Sequence, residues 1–105
     1  MISPIFWTAY SHLERHVLIN EIEETILKYG SILEFKTFSD LAISITLELE
    51  EQRLQPLYEA LCRIMKLDAF EALAEIKMQD RIVYLNISFS TGSGDLKNIV
   101  PNVPG

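Results

Sequence analysis

From Leu41 to Leu49 the chain alternates without a break: Leu41, Ile43, Ile45, Leu47 and Leu49 are apolar, and Ala42, Ser44, Thr46 and Glu48 lie between them. A period of two predicts a strand with one buried face. Ile32 to Phe38 reads as a second extended run, joined to the first across the Ser39-Asp40 turn, so the two predict a hairpin. Upstream, Ser3 to Tyr10 is rich in Ile, Phe, Trp, Thr and Tyr, as strands are. Residues 11 to 16 are polar and predict a loop. From Leu18 the spacing becomes helical, with Leu18, Ile22, Ile26 and Tyr29 on one face beside Ile19, while Glu21, Glu24 and Lys28 point away. Ser11 to Glu14 has the spacing of a capping box, but a helix start near His16 or Val17 suits the apolar stripe better. Gly30 stands where a left-handed C-cap would end that helix.

After the hairpin, Leu54, Leu57, Tyr58, Leu61 and Met65 form the stripe of a second helix beginning near Glu51 or Gln52. Pro56 fits there because the first turn has no intrahelical bond for its missing N–H to break. From Phe70 to Met78 two signals compete. Ala72, Ala74, Ile76 and Met78 alternate as in a strand, whereas Glu-Ala-Leu-Ala-Glu favours helix by propensity; the alternation is taken to predict a strand. Gln79-Asp80 is a turn, and Val83, Leu85, Ile87 and Phe89 alternate as a last strand. The fold class is α+β: a four-stranded antiparallel sheet with both helices on one face, extended by a further strand from the 70 to 89 region. Only the two helix stripes supply the cover that the hairpin's apolar face requires. Residues 1–90 form one domain, and 91–105 form a Gly- and Pro-containing tail with apolar anchors at Leu96, Ile99, Val100 and Val103.

The chain has 105 residues, 49% of them hydrophobic and 23% charged, which excludes a disordered class. Its nine basic and fifteen acidic residues leave a formal charge of −6. That argues against nucleic acid as a partner, since phosphate backbones need a basic stripe. An anionic membrane surface is excluded on the same ground. No run approaches the roughly 18 apolar residues that span a bilayer. Cys62 is the only cysteine, so there is no internal disulfide, and a reducing, cytoplasmic location is the expectation.

Val17 to Glu51 combines an amphipathic helix ending in Tyr29-Gly30, the segment Ser31-Ile32-Leu33-Glu34-Phe35, a tight turn and the alternating strand from Leu41. In that order it resembles the middle of an ACT domain. His16-Val17 stands where that family carries a Pro-Gly pair. The resemblance implies a ferredoxin-like βαββαβ sandwich, association through sheet edges or helices, and a regulatory or small-ligand-sensing role without catalysis.

Candidate chemistry is sparse. The Ser11 to Leu18 connection feeds a helix N-terminus, whose free N–H groups and dipole suit a carboxylate. Ser11, His12, Arg15, His16 and Val17 are therefore the candidate ligand-binding residues, for a small carboxylate or amino acid. Arg15 would pair with the carboxylate, and His12 or His16 would make binding depend on pH. His12-Leu13-Glu14-Arg15-His16 is not the metalloprotease spacing, and two histidines make no metal site. Ser90 to Asp95 has nest-like glycines but fits neither phosphate-loop template. No cofactor is implied. Trp7, Tyr10, Tyr58 and Tyr84 fit core or interface better than a pocket, Cys62 reads as a small hydrophobe beside the helix stripe, and Glu48, Glu50 and Glu51 read as a solvated strand end. Three functions stay open: a self-associating, ligand-sensing regulatory domain; a small dimeric α+β barrel enzyme using a His/Tyr acid-base pair; and an adaptor that docks through its tail. A homo-oligomer is expected, because a monomer of this size has little reason to order an alternating terminal strand and an apolar-dotted tail.

Overall fold

A computed structural model describes residues 3–39, 41–70 and 73–89. The elements are β1 (Ile5–Ser11), α1 (Arg15–Leu27), β2 (Gly30–Ser39), β3 (Ala42–Glu50), a 3-10 turn (Glu51–Arg53) running into α2 (Leu54–Leu61), β4 (Lys66–Leu67) and β5 (Asp80–Phe89). Through β4 this is the βαββαβ order of a ferredoxin-like sandwich, and β5 is an extra C-terminal strand. The C-terminal tail and the Ser90 to Asp95 segment lie outside the described residues.

The sheet order is β2-β3-β5-β1-β4, so the extra strand enters the middle of the sheet rather than extending it. β5 runs antiparallel to β3, from Glu50↔Asp80 to Ala42↔Ser88. It runs parallel to β1, from Ile5↔Val83 to Ser11↔Phe89. The sheet is therefore mixed, which corrects the expectation of a purely antiparallel one. Val83, Leu85 and Ile87 show why: at 0 to 1% exposure they are buried as deeply as the hairpin strand, and only a central position hides them so completely.

The expected strand at 70 to 78 is also corrected. Among the described residues of that stretch none is in a strand; Ile76 and Met78 are exposed, while Phe70 and Leu73 pack against the core edge. Alternation of apolar residues reports a strand only where one face is buried, and here Ala74, Ile76 and Met78 are exposed. Phe70 instead packs against Trp7 of β1, and Lys77 and Gln79 hydrogen-bond to Glu51 just ahead of β5.

One core joins the layers. Leu18, Ile22 and Ile26 from α1 and Leu54, Leu57 and Leu61 from α2 pack on the inward residues of β3 and β5, with Trp7 and Ala9 of β1 at the margin. The opposite sheet face carries Phe6, Thr8 and Tyr10 from β1 and Asn86 and Ser88 from β5, all exposed. Both helices thus cover one face, as the apolar stripes predict.

Gly30 opens β2 opposite Leu49, and its φ lies outside the left-handed region, so it is not the C-cap that the sequence suggests. Its role is close approach. A Cβ there would collide with the Glu48 carbonyl oxygen and come 2.7 Å from the Leu49 Cβ. Gly30→Ala is expected to destabilise by about 1–3 kcal/mol, as overpacking does, read as a lower urea midpoint with an unchanged slope.

Candidate functional site

α1 begins at Arg15, slightly earlier than the apolar stripe suggests, because Glu14 caps it. The Glu14 carboxylate accepts the His16 backbone N–H at 2.8 and 2.9 Å. A carboxylate of the chain thus already occupies an anion position at this helix start. The other candidate residues point apart. Ser11 is buried and its Oγ accepts the Leu13 N–H at 3.0 Å, closing the turn. His12 faces outward with its ring edge-on to Tyr10 at 5.1 Å. Arg15 donates from Nη2 to Thr37 Oγ1 of β2 at 3.2 Å, tying helix to hairpin. His16 and Val17 are exposed.

A groove of about 320 Å³ lies at the other end of α1, roughly 20 Å away at 1.5 Å per helical residue. Its floor is the junction of α1 and β2, and Glu48, Glu50, Asp80, Lys28 and Arg53 supply its charges. Arg53 is already engaged: its Nε donates to Glu50 at 3.0 Å, and its Nη1 reaches the Lys28 carbonyl at 3.5 Å. That places a cation at the negative end of the α1 dipole. What remains is net acidic, so the groove would repel the carboxylate ligands expected at residues 11 to 18.

The aromatic candidates divide between the two sheet faces. Trp7 and Tyr58 meet edge-to-face at 5.5 Å with Phe70 beside them, on the helix side. Phe6 and Tyr84 stack at 5.3 Å on the open side, the face that also bears Tyr10. The Tyr58 hydroxyl donates to the Asp68 carbonyl at 2.6 Å, and burial, then Cys62, pushes its pKa above the ordinary phenol value. A phenol so placed stays protonated and is a poor general base. Cys62 itself is exposed at the end of α2, not tucked beside the stripe.

Glu51 is the residue that the reading of a solvated strand end missed. It is 2% exposed, accepts the Lys77 backbone N–H at 2.8 Å and the Gln79 side-chain amide, and pairs with Arg81 at 3.0 Å. Its own N–H donates to the Gln79 carbonyl. The strand phase carried a signal: after inward Leu49 and outward Glu50, position 51 returns to the inward side, and Arg81 shares the phase of Val83. This cluster locks the chain entering β5 to the end of β3, so its work is structural.

Among the described residues no group of three or more His, Cys, Asp or Glu is placed to hold a metal ion, and no helix is long and apolar enough to cross a membrane. No protein-family model matches the chain, nor does a curated protein or a solved structure.

Proposed function

We propose that the protein is a non-enzymatic, self-associating module of ferredoxin-like fold, with the regulatory or ligand-sensing role that its resemblance to ACT modules implies. The observation that carries this reading is the β2 edge. β2 is ten residues long and outermost in the sheet, none of its residues is buried, and it exposes Leu33, Phe35 and Phe38. A long edge strand with apolar side chains is a template for pairing with another strand. His12 does meet a tyrosine, Tyr10, but both are exposed, and His16, Tyr58 and Tyr84 lie elsewhere, which weighs against an enclosed acid-base pocket.

Sedimentation of the wild type under reducing conditions is expected to show a dimer at high micromolar concentration, and a monomer there would overturn self-association. Ligand sensing is tested by a thermal-shift screen of amino acids and short carboxylates on the wild type and Arg15→Ala. A ligand held at the Ser11 to Leu18 connection stabilises the wild type and loses that effect in the variant; equal stabilisation of both would put the site elsewhere.

A further inference from the structure

We infer that the occupant of the β2 edge is a second copy of this chain, paired antiparallel about a two-fold axis through Phe35, with Glu34 of each copy opposite Lys36 of the other. The inference rests on the self-association proposed above and adds to it the surface and the register.

The geometry restricts the choices. β2 is interrupted by register shifts between Ile32 and Glu34 and between Thr37 and Ser39, so Glu34 to Thr37 is the regular segment. A two-fold axis perpendicular to the sheet keeps the helix-bearing faces of both copies on the same side. Side chains alternate between faces, so each residue then meets one of the same phase. Within the regular segment the axis can pass through Glu34, Phe35, Lys36 or Thr37.

Charge decides among them. Glu34 and Lys36 are opposite Thr46 and Ser44 of β3, on the open face, and each side chain is more than half exposed. An axis through Glu34 sets that carboxylate against its own copy, and an axis through Lys36 does the same with two ammonium groups. Like charges directly opposite are destabilising and opposite charges favourable. An axis through Thr37 drives the pairing into the second irregularity. Only the axis through Phe35 gives two attractive pairs. Within one chain Lys36 Nζ already lies 3.6 Å from Glu34, so pairing assembles a square of four alternating charges. On the helix side the same register brings the two Phe35 rings together, opposite Ile45 in each copy. Backbone bonds and these apolar contacts supply the affinity, while the charges select the register. β2 is consumed by the pairing and β4 borders β1 at the other edge, so the assembly closes at two copies as one ten-stranded sheet, five strands from each.

Charge-reversal variants test the register, studied by sedimentation in reductant so that Cys62 forms no crosslink. Glu34→Lys sets lysines opposite Lys36, and Lys36→Glu sets carboxylates opposite Glu34; each is expected to weaken the dimer by about tenfold or more. The double variant Glu34→Lys/Lys36→Glu regains wild-type association, and an equimolar mixture of the two single variants forms a heterodimer. Both positions are exposed, and unchanged thermal midpoints at dilutions where all are monomeric confirm the fold. A dimer indifferent to both single variants, or a double variant that stays monomeric, overturns the register while leaving self-association intact. A wild type that never dimerises overturns both.

Discussion

Ile45→Asp is expected to leave the chain unfolded at room temperature, with strand signal lost from the far-ultraviolet circular dichroism and no cooperative thermal transition. Ile45 is 0% exposed and sits in β3 between Phe35 of β2 and Leu85 of β5, under both helices. Removing a buried isoleucine side chain costs about 2–5 kcal/mol. The aspartate adds either an unpaired buried charge or the protonation needed to avoid one. Against a total stability of about 5–15 kcal/mol for a domain, the sum leaves little or nothing. Leu85→Ala in the adjoining strand is expected to cost about 2–5 kcal/mol, because β5 is central and Leu85 is 0% exposed. Ser44→Asp, next in sequence but on the open face, should stay folded. An Ile45→Asp variant that melts with the wild type would overturn the assignment of β3 to the core.

Glu51→Gln is expected to lower the melting temperature by several degrees at neutral pH, and to lose most of that difference in acid. The carboxyl is held below its ordinary value of 4.5, chiefly by the Lys77 N–H bond; burial opposes this, and the Gln79 and Arg81 contacts add to it. A carboxyl whose folded pKa is depressed contributes stability that is present above the unfolded value and lost as pH falls through the folded one. The wild type should therefore lose this contribution below about 4.5, while the glutamine variant, with nothing to titrate, has already lost it. Glutamine also presents an amide N–H₂ where three donors converge and leaves Arg81, whose side chain is 12% exposed, without its counter-charge. Glu50→Gln, one residue away and exposed, serves as the control and should change little. Parallel stability curves for wild type and Glu51→Gln across the acid range would show that the cluster is not the source of the acid sensitivity.

The local pattern of the chain was enough for β1, the hairpin, both helices and the inward phase of Ile43, Ile45, Leu47, Val83, Leu85 and Ile87. Period-two and helical burial are written within a few neighbouring residues, and each such segment must hide its apolar side wherever it ends up. The same pattern failed at Ala74, Ile76 and Met78 because alternation does not reveal whether anything lies over the face it marks. It also could not say which strands are neighbours. The place of β5 between β1 and β3 is a contest among strands far apart in sequence, won by the apolar face that must be buried most deeply. The candidate residues at 11 to 17 were legible as a helix entrance, yet whether they converge depends on Thr37 across the hairpin and on Glu14 turning back as a cap. Glu51 shows the division most sharply. Its inward phase could be counted along β3, but what makes a buried carboxylate tolerable there, the Lys77 N–H, Gln79 and Arg81, arrives from nearly thirty residues downstream and is brought to it only when the sheet closes around β5.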